Sequence, residues 1–169
     1  SRRCRHRRGS CGQPNLKASW LRELRADIEA SGLVTNSLHS HIAWYDPELV
    51  LFNPTQSRRE RAVETYLRVV DAMEMLACPI MVVHDIALPD VGEPEHDERR
   101  ALLVESLARV ADYAAGAGVQ IAIENLTKGY SGDTRNVRQI VADTGRSNVG
   151  ICIDTGHANL VGAVGDHIR

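Results

Sequence analysis

The sequence contains no long hydrophobic run and no closely paired cysteines. No stretch approaches the roughly 18 consecutive apolar residues of a membrane-spanning helix, so we expect no membrane span. The Arg-rich start of the chain is not followed by an apolar segment, so it does not resemble a secretory signal. The four cysteines include no CxxC pair, which argues against a disulfide framework. We therefore expect a protein of the reducing cytoplasm.

Basic residues are concentrated at the start of the chain, where acidic residues are absent. Residues 1–22 carry seven Lys or Arg and no Asp or Glu, whereas the rest carries 13 basic and 22 acidic residues. We interpret residues 1–18 as a disordered or non-native start and residues 19–169 as the folded domain. A nucleic-acid-binding tail is the alternative for the basic start, but the acidic remainder argues against nucleic acid as a partner.

Four segments of the chain each end on a residue that can bind a metal ion. Three of them are short, apolar and bounded by Gly, Pro or polar residues, as expected for strands that are buried on both faces. The first segment is more mixed in composition. The predicted strands are Leu33–His39, Ile80–His84, Val119–Glu124 and Val149–Asp154.

Helical patterns separate these strands, and they span residues 20–28, 57–77, 97–115 and a short segment from Thr134. The alternation of strand and helix predicts a parallel sheet with right-handed crossovers. The strand ends are 45, 40 and 30 residues apart, and a (β/α)8 barrel needs roughly 31 residues for each unit. Four strands are legible, and eight close a barrel. We therefore predict an α/β chain that forms part of a (β/α)8 TIM barrel and is truncated.

The polar residues at the strand ends are predicted to form one site. The carboxyl ends of parallel barrel strands meet at one face, where active sites form. His39, His84, Glu124 and Asp154 would converge there, and two imidazoles with two carboxylates suit Zn²⁺, Mn²⁺ or a similar ion. His157 follows Asp154 by three residues across a Gly turn, so both can face one cavity. The alternative for Glu124 is a structural carboxylate that bridges to a neighbouring strand, because a buried carboxylate needs a partner.

Two short motifs, Glu124–Asn125 and Asp154–Thr155–Gly156–His157, resemble those of the xylose-isomerase-like barrel superfamily. That superfamily includes sugar-phosphate isomerases and epimerases and is related to the apurinic-site endonucleases of family 2. The resemblance covers about residues 19–169, which correspond to the second to fifth strands of the barrel. It extends upstream to Ser37–Leu38–His39, the loop containing Tyr45, Asn53–Pro54 and Val82–Val83–His84.

The resemblance implies roles for individual residues. Glu124 and Asp154 would be ligands of a divalent metal (Mn²⁺, Zn²⁺, Mg²⁺ or Co²⁺), and Glu124 and His157 would be catalytic. His39, His84, Asn125 and His157 would bind the substrate. In the nuclease branch, the three histidines would be zinc ligands instead.

The chain also departs from the pattern of the superfamily. The third-strand motif usually reads His-Pro-Gly, but here it is His84–Asp85–Ile86, and His41 stands where a Pro is frequent. The superfamily further implies a His ligand on the sixth strand and a Glu ligand on the eighth. The sequence ends with residues 166–169, before a sixth strand is legible, so we expect an incomplete ligand set.

Three functional hypotheses follow. We favour a metal-dependent sugar or sugar-phosphate isomerase/epimerase-like protein that acts on a small-molecule sugar by moving a proton next to a metal-bound carbonyl or hydroxyl. The first alternative is a DNA-repair phosphodiesterase of the apurinic-site type. The second is a non-catalytic barrel fragment. An open half-barrel leaves unpaired strand edges, so self-association through those edges is also expected.

Overall fold

The computed structural model describes residues 17–40, 42, 46–84, 88–162 and 164–165. Helices and strands alternate along these residues, as the sequence predicts. The Tyr45-containing loop, His41, the Asp85–Ile86 departure, the chain end and nearly all of the basic start lie outside them. The elements are α1 (Ala18–Ala30), β1 (Ser37–Ser40), α2 (Gln56–Met75), β2 (Ile80–Val83), α3 (His96–Gly116), β3 (Gln120–Glu124), a 3-10 turn (Tyr130–Gly132), α4 (Thr134–Thr144), β4 (Val149–Cys152) and α5 (Thr155–Val161).

The strands form one parallel sheet in the order β1-β2-β3-β4. Each strand pairs with its neighbour in sequence, and α2, α3 and α4 cross over between successive strands. Sequential parallel neighbours joined by helices are the repeating unit of a (β/α)8 barrel. The predicted α/β class and the partial-barrel architecture are therefore confirmed.

The pairing register gives the sheet two distinct faces. On one face, Leu38, Met81, Ile121 and Val149 lie in one row across the four strands. This row belongs to the hydrophobic core between the sheet and the helices. On the other face, His39 is level with the row of residues 82, 122 and 150. Because side chains alternate along a strand, the metal-binding candidates share the face that points away from the helices.

The helices cover the first face of the sheet with the stripes predicted from their periodicity. Fully burying a Val, Leu, Ile or Met side chain stabilises the fold by about 1.5–3 kcal/mol. The buried stripes of the helices therefore hold the strands in place. The described helical residues with no exposed surface are Ala62, Tyr66, Val70 and Met73 of α2, Leu103, Ser106, Leu107, Val110, Ala111 and Ala114 of α3, and Val137 and Ile140 of α4. Among the described residues, no helix is long and apolar enough to cross a membrane.

The prediction for the first strand was wrong at both of its ends. β1 begins at Ser37, four residues later than predicted, and it ends at Ser40 rather than at His39. Leu33 and Val34 are 64% and 88% exposed. The ladder with β2 runs from Ser37 opposite Ile80 to Ser40 opposite Val83, so the partner strand, and not the local hydrophobicity, sets the length of β1.

Candidate metal centre

The five residues predicted to converge lie together at the carboxyl end of the sheet. His39 is the third residue of β1, His84 follows the last residue of β2, and Glu124 is the last residue of β3. Asp154 lies two residues beyond β4, where it caps α5, and His157 is in the first turn of that helix. Parallel pairing brings these positions together because all four strands end at the same edge.

Glu124 is at the centre of the cluster. One of its carboxylate oxygens faces His39 and His84, and the other faces His157. Its Oε2 atom accepts a hydrogen bond from His84 Nε2 and lies 3.9 Å from His39 Nδ1. Its Oε1 atom lies 3.4 Å from His157 Nδ1. The side chain is only 3% exposed. A carboxylate buried to this degree is stabilised only by close partners, and three imidazoles supply them.

The two histidines on one side of Glu124 also contact each other. The rings of His39 and His84 meet edge to face, with their centroids 5.2 Å apart. His39 is the more open of the two, since 46% of its side chain is exposed against 20% for His84. The exposed ring of His39 therefore leaves room for a ligand on its side of the cluster.

Asp154 is held as an ionised carboxylate by the start of α5. Its Oδ1 atom accepts a hydrogen bond of 2.7 Å from the backbone N–H of His157. This bond is the main reason why the pKa of Asp154 lies below its usual value, with smaller contributions from the His157 charge and the Gly156 N–H. A Cβ atom at Gly156 would lie 3.1 Å from Asp154 Oδ1, so glycine there lets the helix approach its capping carboxylate.

Asn125 is fully buried directly beside Glu124. Its Nδ2 atom donates to the Asp154 carbonyl (3.1 Å), and its Oδ1 atom accepts from the Asp154 N–H (2.8 Å). Its own backbone carbonyl accepts from His157 Nδ1 at 2.8 Å. The structure therefore places this residue, which the resemblance assigns to substrate binding, against the backbone of Asp154.

Two groups of side chains have the geometry to hold a metal ion. In each group the potential ligand atoms all lie within 4.8 Å of one another. The nitrogen and carboxylate donors in both groups match the preferences of Zn²⁺ and Mn²⁺. Glu124 belongs to both groups and its two oxygens face opposite halves, so it has the position of a bridging ligand. The groups are His39–His84–Glu124 and Glu124–Asp154–His157.

Cys152 belongs to the surroundings of the site. It pairs in register with Glu124 and is partly exposed. Burial raises the pKa of its thiol, and the negative charges of Glu124 and Asp154 raise it further. The period-two spacing of Gly150, Cys152 and Asp154 was the available signal, because alternate residues share a face of the sheet.

The chain belongs to the family of xylose isomerase-like TIM barrels, whose family model matches residues 5–169. A curated relative is an uncharacterized protein, MJ1311, of Methanocaldococcus jannaschii. It is 26% identical over 130 residues, which are 70% of this chain and 44% of that protein.

Several solved structures share the fold. A D-tagatose 3-epimerase-like protein superimposes with a TM-score of 0.78 at 20% identity, and the match covers 90% of this chain and 57% of that one. The D-psicose 3-epimerase of Clostridium cellulolyticum, solved with D-tagatose, gives 0.73 at 20% identity, over 85% and 50% of the two chains. An L-ribulose 3-epimerase gives 0.72 at 19% identity, over 83% and 47%. The chain thus spans about half the length of the proteins it matches.

Proposed function

We propose that this chain supplies the metal-binding half of a sugar or sugar-phosphate isomerase/epimerase-like active site. Glu124 and Asp154 are its proposed metal ligands, and Glu124 and His157 its catalytic residues. The observation that carries the proposal is the buried Glu124 carboxylate, whose oxygens face Asp154 and His157 on one side and two histidines on the other. The sugar epimerases of the same fold support the proposed class of substrate, a small-molecule sugar.

The chemistry of the donor set fits a divalent ion. Two carboxylates and nearby imidazoles, of which Glu124 is the most deeply buried, are ligands that Zn²⁺ and Mn²⁺ take in proteins. An ion held there would polarise a carbonyl and its neighbouring hydroxyl, which acidifies the C–H between them. The lowered pKa of Asp154 keeps that ligand ionised at neutral pH.

Glu124 is the proposed acid/base. Its carboxylate takes the proton from the carbon next to the substrate carbonyl and returns it on the same face to the neighbouring carbon, which gives isomerisation. Epimerisation would need the returning proton to reach the same carbon from the opposite face, from a donor other than Glu124. One C–H bond breaks and one C–H bond forms within the same sugar molecule, so no oxidant or reductant is consumed. His157 contacts a substrate oxygen, and His39 and His84 line the open side of the site.

Deuterium incorporation tests this chemistry. The chain would be incubated with Mn²⁺ and a panel of ketoses in D₂O, and the recovered sugar analysed by mass spectrometry. One deuterium next to the carbonyl, lost in Glu124→Gln and kept in Glu60→Gln, supports the proposal. Glu60 is a matched control because its carboxylate pairs with Arg109 on the exposed surface of the helices and belongs to neither group of potential metal ligands. Metal binding without any deuterium incorporation would contradict the proton-transfer role.

A second candidate is an apurinic-site phosphodiesterase, which the His39–His84–Glu124 group favours. That group could hold a further ion beside the first, and clustered metal ions support hydrolysis of phosphodiesters. Against it stands the acidic character of the chain after residue 22, because phosphate backbones are bound by basic surfaces. Cleavage of a DNA duplex with a single abasic site, dependent on Zn²⁺ and on His84, would favour this candidate over the epimerase.

Two further proposals concern the cellular location and the self-association of the protein. The free thiols of Cys78 and Cys152 support a reducing, cytoplasmic location. Within the described residues, β1 and β4 each pair with a single neighbouring strand. Unpaired strand edges recruit other chains, so we propose self-association of the 169-residue polypeptide through these edges.

A further inference from the structure

We infer that Asn125 is a positioning residue that sets both Asp154 and His157 relative to Glu124. Its side-chain amide holds the backbone of Asp154, and its backbone carbonyl fixes the tautomer of His157. The inference rests on the proposed function in one respect only, namely that Asp154 and His157 serve a metal and a substrate.

The side chain of Asn125 adds one more pair of hydrogen bonds between the ends of β3 and β4. The backbone ladder between β3 and β4 ends where Glu124 pairs with Cys152. One residue beyond Glu124 and two beyond Cys152, the Asn125 side-chain amide donates to the Asp154 carbonyl and accepts from the Asp154 N–H, as a backbone peptide group would. Asn125 is completely buried, so water does not replace these bonds when they are lost.

Among side chains of this size, only asparagine can make both bonds. An ionised Asp accepts hydrogen bonds but donates none, and Leu does neither. The pair of bonds anchors the residue that caps α5. The Asp154 carboxylate is thereby held close to Glu124, and we expect its position to be lost when the amide is removed.

The tautomer of His157 follows from the hydrogen bond of its Nδ1 atom. A backbone carbonyl can only accept, so the 2.8 Å contact with the Asn125 oxygen requires a proton on Nδ1. The neutral ring then carries its lone pair on Nε2. Nδ1 is also the atom that lies 3.4 Å from Glu124 Oε1 and 3.9 Å from Asp154 Oδ2. While it donates to Asn125 it cannot bind a metal between those carboxylates, and His157 acts through Nε2.

Calorimetric titration with Mn²⁺ tests the side-chain half of the inference. Loss of a group that orients a metal ligand weakens binding roughly 10- to 100-fold, and we expect this of Asn125→Ala. Asn125→Asp keeps the acceptor and loses the donor, so it should fall between Asn125→Ala and the wild type. Asn148→Ala is the matched control, because Asn148 donates to the Ala111 and Val119 carbonyls at the other end of the sheet.

Nitrogen-15 NMR of the imidazole rings tests the backbone half without metal or substrate. In the neutral His157 ring we expect a protonated Nδ1 and an unprotonated Nε2, with the signal assigned by its loss in His157→Gln. A proton on Nε2 would overturn the tautomer assignment.

The outcomes separate this inference from the proposed function. Equal Mn²⁺ affinities in Asn125→Ala, Asn148→Ala and the wild type would overturn the positioning role. If Asn125→Ala does not fold, the Mn²⁺ affinity of Asn125→Asp and the tautomer of His157 in the wild type test the positioning role instead. A wild-type chain that binds no Mn²⁺ would contradict the proposed function instead, and the tautomer measurement would still decide the part that concerns His157.

Discussion

Replacing Glu124 with Gln should abolish the response of the protein to metal without weakening the metal-free fold. The substitution keeps the shape of the side chain and an oxygen that accepts from His84 Nε2. It removes a negative charge from a side chain that is 3% exposed. A hydrogen bond to a charged group contributes about 1.5–3 kcal/mol and one between neutral groups about 0.5–1.5 kcal/mol, so the loss is roughly 1 kcal/mol.

The stability gained by removing the buried charge is at least as large as this loss. Keeping one ion out of water in a protein interior costs several kcal/mol, even after relaxation. We therefore expect the metal-free free energy of unfolding of Glu124→Gln to equal or exceed that of the wild type. In the wild type, Mn²⁺ at about 100 times its Kd adds about 2.7 kcal/mol. That raises the Tm by about 5–10 °C for a chain of this size.

Thermal unfolding with and without Mn²⁺ checks both statements, with Glu60→Gln as the control that should keep the metal response. An equal Tm increase in Glu124→Gln and the wild type would refute the assignment of Glu124 as a ligand. A metal-free Glu124→Gln that is several kcal/mol less stable would show that the carboxylate is a structural partner of the histidines.

Three other predictions concern single groups and the sheet edges. Asp154→Asn should keep the cap of α5, because Asn also caps helices, while Mn²⁺ affinity measured by calorimetry falls. Since the folded pKa of Asp154 is lowered, its ionised form stabilises the wild type above about pH 4, and this contribution is lost as the pH falls through the folded pKa; acid unfolding should show no such loss in Asp154→Asn. Cys152 should react slowly with iodoacetamide because burial and the charges of Glu124 and Asp154 raise its pKa, and Glu124→Gln should speed the reaction, as followed by peptide mass spectrometry; an unchanged rate would contradict the charge effect. The 169-residue chain should run as a dimer or larger species in size-exclusion chromatography with light scattering, and a compact monomer would show that the strand edges are covered.

The order of elements could be predicted because its signals are local. Helical stripes such as the one through Tyr66 and Met73 repeat within a few turns, and Pro79 and Gly118 mark where β2 and β3 begin. The meeting of Glu124 and Asp154 could be predicted from one non-local rule, that parallel strands end at one edge.

Features that depend on the partner strand could not be predicted. Leu33 and Val34 form an apolar pair that suggested a strand, but β2 has no residues opposite them in the ladder. The bonds between Asn125 and Asp154 join residues 29 positions apart and depend on the register of β3 with β4. Neither the length of β1 nor the bonds of Asn125 can therefore be predicted from neighbouring residues in the sequence.

Anomalous diffraction from crystals soaked in Mn²⁺ shows directly whether Glu124 and Asp154 bind a metal ion. We expect a peak at the manganese edge within bonding distance of one carboxylate oxygen each of Glu124 and Asp154, which already lie within 4.8 Å of each other. The peak should disappear in crystals of Glu124→Gln and persist in those of Glu60→Gln. A chain whose carboxylates remain without a peak in saturating Mn²⁺, or whose ion binds away from both, would contradict the claim that these residues form a metal centre.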